Sequence, residues 1–317
     1  MHGSDATNDQ QLAEELVARG EELRELHRLE EAIGCLDGVL AQFGAATDPG
    51  VREQVAGAML VKGEILDDLG RHHEALVTYE EVLGRFGRAR EPAVRELVAT
   101  ALVNKGLTLG DDLGRPQAEL DVYEELLTWF GDALEDGVRE QVAKGLLYTV
   151  TTLTQLDLPE DALGACDELL ARFGDAQDPS MRELVAAALI GKAEILDAGL
   201  GRPLEAIVVY DEILTRSSAA EPHPREQIAK TLVAKAGALE QLERYAEAVE
   251  TYDDLLARFG DTTESEPELS VLVRVARIGK SVALIKTGRH AESLALSHQL
   301  LGRLSATLNP RIEDPSS

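Results

Sequence analysis

The chain has 317 residues, with 31 Lys and Arg against 58 Asp and Glu, so that a net charge of -27 is spread along its length. Such a surface repels phosphate backbones and anionic bilayers, which excludes nucleic acid and membrane as partners and favours a basic protein segment. Two cysteines 131 residues apart, Cys35 and Cys166, exclude a disulfide framework; with a polar start over Met1–Gln10 and no apolar run near the length of a membrane span, they make the cytoplasm the expected compartment.

Residues 1–10 read as a flexible N-terminus, and after them one pattern returns. All five phenylalanines, Phe43, Phe86, Phe130, Phe173 and Phe259, are followed by glycine, at spacings of 43, 44, 43 and 86. The missing member falls at Ser217, and a seventh copy ends at Leu304. Seven residues before these positions stand Tyr79, Tyr123, Tyr210 and Tyr252, with Leu36, Cys166 and Ser297 in the other slots; four before those stand Ala32, Ala75, Ala162, Ala206 and Ala248, with Glu119 and Ser293 as departures. Offsets of four and seven place a small residue and two rings on one helical stripe, the buried face of the second helix of each unit.

The first helix of a unit is announced by an acidic-Pro pair, Asp48-Pro49, Glu91-Pro92, Asp178-Pro179, Glu221-Pro222 or Glu266-Pro267, read as a carboxylate N-cap with proline at the first helical position. An Arg-Glu pair follows at Arg52, Arg95, Arg139, Arg182 and Arg225, and the helix stops at Gly70, Gly114, Gly201 or Gly288, where glycine can take the left-handed conformation that reverses the chain. Helical hairpins are thereby predicted over 11–48, 49–91, 92–135, 136–178, 179–221, 222–264 and 265–307, with a flexible tail over 308–317.

Segments such as Gly70-Arg-His-His-Glu-Ala-Leu-Val-Thr-Tyr and Gly201-Arg-Pro-Leu-Glu-Ala-Ile-Val-Val-Tyr resemble the turn and second helix of the tetratricopeptide repeat, and Gly63 and Gly106 fall at that motif's first-helix glycine. The resemblance implies an all-α fold, a right-handed superhelix of about seven hairpins. Two departures stand out: the period is longer than the family's 34 residues, and Phe-Gly replaces the proline after the second helix. In the family the first helices line a concave face, which here implies a groove holding Glu21, Glu25, Glu64, Asp67, Asp68, Asp111, Glu194, Asp197 and Glu240. The function that follows is a non-catalytic scaffold holding a protein with a basic segment; the alternative is a sensor array that binds a small ligand and controls a separate effector.

Other features receive structural readings. Gly279-Lys280-Ser281 imitates the end of a phosphate-binding loop but lacks its first glycine, since residue 274 is Arg274. The seven histidines, His72-His73 included, share no metal-ligand spacing, and neither a metal nor a cofactor is expected. Cys166 fills a tyrosine slot as a core thiol. A cationic row, Arg19, Lys62, Lys105, Lys192, Lys235 and Lys280, broken by Thr149, lies on an apolar stripe. Its ammonium groups are expected to meet second-helix carboxylates such as Glu80, Glu124, Asp211 or Asp253 rather than form a ladder for anionic ligands. The last unit turns apolar at Val282, Ile285, Leu294 and Leu301 without an evident cap, which points to a contact there, self-association among the choices.

Overall fold

The computed structural model describes residues 2–219, 225–262 and 266–298. Every regular element among them is helical: α1 (His2–Glu25), α2 (Leu29–Phe43), α3 (Pro49–Asp68), α4 (His72–Phe86), α5 (Pro92–Leu107), α6 (Pro116–Phe130), α7 (Asp136–Gln155), α8 (Pro159–Phe173), α9 (Pro179–Glu194), α10 (Pro203–Ala219), α11 (Arg225–Gln241), α12 (Tyr245–Phe259) and α13 (Pro267–Lys286). A helical stretch over 290–298, α14, completes the seventh hairpin. The cap pair Glu221-Pro222, Leu301, Leu304 and the segment 308–317 lie outside the described residues. Helix α1 reaches back to His2, so residues 2–10 are helical. Residues 1–185 and 186–317 form two compact units. No helix among the described residues is long and apolar enough to cross a membrane.

Seven hairpin turns carry seven residues with positive φ. Four are the expected glycines, Gly70, Gly114, Gly201 and Gly288, and three are His27, Asp157 and Glu243 at φ of 56, 59 and 58°. The turn geometry is therefore common to all units, and three of them hold it with a side chain that pays a steric cost. The glycine after each phenylalanine has another reason. Gly44, Gly87, Gly131, Gly174 and Gly260 have ordinary right-handed φ. A Cβ there would approach the carbonyl oxygen four residues back to between 2.2 and 2.6 Å.

The stripe of the second helix is buried as its spacing predicts. Ala32, Ala75, Ala162, Ala206 and Ala248 are inaccessible, and the four tyrosines and five phenylalanines of the repeat are buried. Removing a ring of this size from water stabilises by roughly 1.5–3 kcal/mol. The rings need small partners: a Cβ on Gly63 or Gly106 would sit 2.4 Å from the Tyr79 or Tyr123 ring. The arginine of the Arg-Glu pair covers the phenylalanine of its own hairpin, with Arg52, Arg95, Arg139 and Arg225 at 5.8, 5.2, 5.6 and 5.6 Å from the ring centroids of Phe86, Phe130, Phe173 and Phe259.

The caps divide by side-chain length. Asp48 accepts hydrogen bonds from the amides of Gly50 and Val51, and Asp178 from that of Met181. The glutamates depart from the expected cap: Glu91 and Glu266 make no such bond. One further methylene carries the carboxylate past the helix amides. Glu91 instead accepts from the Arg90 amide, and Glu266 meets Arg225 of the preceding first helix at 2.9 Å. Glu135, without a following proline, likewise meets Arg95 at 2.9 Å.

The alternation of 43- and 44-residue spacings also has a structural cause. Gly63 stands 16 residues before Tyr79, whereas Gly106 stands 17 before Tyr123 and Ala193 17 before Tyr210. In those two hairpins the first helix ends in a π-helical turn, Thr108–Asp112 and Ile195–Gly199. Each turn absorbs one inserted residue.

Candidate protein-binding surface

The predicted groove residues fall into two groups. Glu21, Glu25, Asp111 and Glu194 are exposed and make no hydrogen bond or ion pair among the described residues. The other five are engaged. In the first unit, Arg24 donates to Glu64 and, at 2.9 Å, to Asp68, while Asn104 reaches Glu64 at 3.1 Å. Around Arg24 opens a cleft of about 670 Å³ lined by Glu21, Arg24, Glu25, His27, Leu29, Val61, Glu64 and Asp68. Four carboxylates there face one guanidinium.

Asp67, Asp197 and Glu240 accept hydrogen bonds from the tyrosines of their own hairpins, Tyr79 at 2.9 Å, Tyr210 at 3.4 Å and Tyr252 at 3.2 Å. Burial, then the adjoining carboxylate charge, pushes all three phenols above their ordinary range. Burial also raises the Glu240 carboxyl, against the bond from Tyr252. The pairing follows the tyrosine. Where Leu36 or Cys166 fills the ring slot, the corresponding first-helix position is Arg24 or Thr154, and at Ser297 it is Ile285.

The third hairpin exchanges the parts. Its first-helix position is Gly110, and the acid comes from the second helix as Glu119, in the slot that five other hairpins fill with alanine. Glu119 is only 4% exposed, and its Oε2 lies 2.0 Å from where a Cβ on Gly110 would be. The Tyr123 hydroxyl is buried beside this carboxylate without closing a hydrogen bond of good geometry. Desolvation raises the Glu119 carboxyl, opposed by the neighbouring Thr152 and Tyr123 hydroxyl dipoles and reinforced by the charge of Asp111.

The lysine row is structural where its contacts are seen. Lys62 meets Asp37 at 2.6 Å, Lys105 meets Glu80 at 3.5 Å, Lys235 meets Asp211 at 2.6 Å, and Lys280 meets Asp253. Each carboxylate belongs to the second helix of the preceding hairpin, so these pairs join neighbours. Arg19, in the first hairpin, meets Glu22 of its own helix at 2.5 Å. Cys166 is fully buried, and Lys280 of the phosphate-loop imitation stands in mid-helix.

On the second unit, α13 exposes Val271, Val275, Ile278, Val282 and Ile285, between 41 and 58% accessible, and Leu294 of α14 is also exposed. The opposite face of α13 is buried through Leu269, Val273, Ala276, Ala283 and Leu284.

Two elements of this surface were not predicted. Arg24 stands in the acidic cleft, and His72, expected to be an ordinary surface histidine, faces both Asp67 and Asp112. The only trace of the second in the sequence is the 44-residue spacing that marks the π turn holding Asp112.

The hairpin turns, the small-residue and ring positions and the stacking of first on second helices define a helical repeat protein. A family model described as Tetratricopeptide repeat matches residues 17–89. Residues 17–89 thus carry the tetratricopeptide repeat, and the other described hairpins share the turn geometry and the buried stripe of that segment. Among solved structures it is similar to BtubC (BKLC) from P. vanneervenii, with 17% identity, coverage of 91% of this chain and 95% of that one, and a TM-score of 0.52. It is also similar to a tetratricopeptide repeat protein from Parabacteroides merdae, with 16% identity, coverage of 84% and 99%, and a TM-score of 0.40. A third similar structure is an assembly chaperone of RpL4 (Acl4, residues 1–338), with 17% identity, coverage of 88% and 99%, and a TM-score of 0.47. No curated protein matches the chain. Tetratricopeptide repeat proteins are typically protein-interaction scaffolds, generally without catalysis of their own.

Proposed function

We propose that the protein is a scaffold whose first unit holds a basic segment of a partner protein in the acidic cleft between α1 and α3. The observation that carries this reading is the treatment of Arg24: the cleft engages a guanidinium through Glu64 and Asp68 and still presents Glu21 and Glu25 without partners among the described residues. Charge-assisted bonds of this kind to an incoming arginine set orientation and register. Asp67, Asp197 and Glu240 serve the hairpins through their tyrosines, and the recognition role falls on Glu21, Glu25, Glu64 and Asp68.

The test is a titration with a fluorescent arginine-rich peptide against the protein and two doubly substituted variants. Glu21→Lys/Glu25→Lys changes the cleft; Asp132→Lys/Asp175→Lys makes the same change in net charge at exposed positions outside it. Binding should weaken more than about tenfold in the first variant, change little in the second, and fall with rising salt near 0.15 M, where the screening length is about 8 Å. Equal losses in the two variants would leave only a diffuse field effect and refute a cleft.

A second contact has its own observation. The exposed residues of α13 recur at intervals of four, three, four and three, the spacing of a coiled-coil seam, and all are β-branched. This supports self-association through α13 of a second copy of the chain.

A further inference from the structure

The sharpest cluster outside the acidic cleft joins the turn of the second hairpin to the π turn of the third. His72 opens α4, Asp67 lies in the last turn of α3, and Asp112 ends the π turn after α5. One ligand atom from each lies within 4.8 Å of the others. The His72 Nδ1 is 3.2 Å from Asp67 Oδ1 and 3.5 Å from Asp112 Oδ2. Two carboxylates thus address one imidazole nitrogen, yet neither closes to the roughly 2.7–2.9 Å of a charge-assisted hydrogen bond. A single N–H cannot point at both.

The two distances from the imidazole nitrogen suit a cation between it and each carboxylate. Ligands at about 2.0–2.1 Å from a tetrahedral metal lie roughly 3.3 Å from one another. Asp67 is also held for this duty. Its Oδ2 accepts the Tyr79 hydroxyl at 2.9 Å and lies 2.8 Å from the Thr108 hydroxyl, which leaves Oδ1 turned to His72. Both hydroxyl groups are buried with their residues. An outer-shell bond that fixes one carboxylate oxygen and presents the other is a recurrent feature of built metal sites. The π turn supplies the third ligand, because the inserted residue alters the last turn of this first helix and brings Asp112 to His72.

We propose that Asp67, His72 and Asp112 bind a divalent transition metal of the zinc class, leaving one or more coordination positions open. The imidazole selects such an ion over magnesium or calcium, which prefer all-oxygen sites. The site bridges two hairpins, so the metal acts as a staple across their junction. It is independent of the arginine-binding reading of the cleft.

The experiment is calorimetric titration of the chelator-treated full chain with zinc chloride, repeated in millimolar magnesium, together with cobalt absorption spectroscopy. The expected result is one zinc equivalent per chain, uncompeted by magnesium, with visible cobalt bands of a tetrahedral site. His72→Leu introduces the residue that the first hairpin carries at the same position, Leu29, and should weaken zinc binding more than about 100-fold, beyond the range for loss of an outer-shell partner. Asp112→Asn removes a carboxylate at an exposed position, keeps the test open should His72→Leu misfold, and should also abolish the cobalt bands. His73→Leu, a neighbouring exposed histidine, should leave binding unchanged. Absence of zinc binding, or equal binding by the protein and both site variants, would overturn the proposal; the second outcome would mark adsorption to the acidic surface.

Discussion

Exchanging the small residue and the acid of the third hairpin should reproduce the second hairpin's arrangement, and the energetics can be separated with the variants Gly110→Asp, Glu119→Ala and their combination. Gly110→Asp alone sets a Cβ 2.0 Å from Glu119 Oε2 and adds a second carboxylate beside the first. Overpacking of this kind costs about 1–3 kcal/mol before like-charge repulsion is included. Glu119→Ala alone empties a buried site. A long side chain cut to alanine costs about 2–5 kcal/mol, offset in part by release of a desolvated carboxylate. In the double variant the new aspartate occupies the vacated volume and stands where Asp67 stands beneath Tyr79, positioned to accept the Tyr123 hydroxyl. The two changes should therefore couple favourably by about 1–3 kcal/mol, leaving the double variant more stable than either single one. Trp129 is the chain's only tryptophan and lies in α6, where its ring would be 2.8 Å from a Cβ on Gly87. Urea titrations followed by its fluorescence consequently read the junction of the second and third hairpins. Additive losses, with coupling inside about 0.5 kcal/mol, would refute the exchange.

Glu119→Gln isolates the carboxyl's titration. Because burial raises the folded carboxyl above its ordinary value, the folded state binds more protons between the two, so its stabilising contribution is full below the ordinary range and is lost as pH rises through the raised value. The glutamine variant should gain stability relative to the parent between acid and neutral pH in the same fluorescence assay; parallel pH profiles would show that Glu119 does not titrate in this window. For the α13 seam, Val282→Asp should convert a dimer to a monomer in light scattering while circular dichroism stays unchanged, and a parent protein that is monomeric at high concentration would remove the seam reading.

Much of the fold was legible because the repeat is built from steric necessities. A ring opposite a glycine, a small residue one turn before a tyrosine and a left-handed turn residue leave marks at fixed spacing, and these placed the hairpins. Three turns were less visible because His27, Asp157 and Glu243 hold positive φ without being glycine. The glutamate caps were not legible because Asp and Glu share a charge and differ in reach: an extra methylene sends Glu91 and Glu266 elsewhere. The groove was harder. Periodicity located its acids, but only the structure distinguished Glu21 and Glu25, which have no partners among the described residues, from Asp67, Asp197 and Glu240, which serve tyrosines. The meeting of Asp67, His72 and Asp112 depends on stacking across two hairpins and on one inserted residue, neither of which a local motif encodes.

That inserted residue bears on how such a chain can change over descent. Adding one residue to an α-helix rotates everything beyond it by about 100°, enough to turn an inward face outward. Here the added length is confined to one widened turn at the helix end, just before Gly114, while Leu102 and Val103 upstream and Tyr123 downstream remain buried. Copies of a duplicated unit can in this way drift in length without a compensating change in their neighbours. The widened turn becomes a place where a new side chain can be tried at low risk to the parent architecture, and Asp112 is one such trial, set within reach of a histidine from the copy next door.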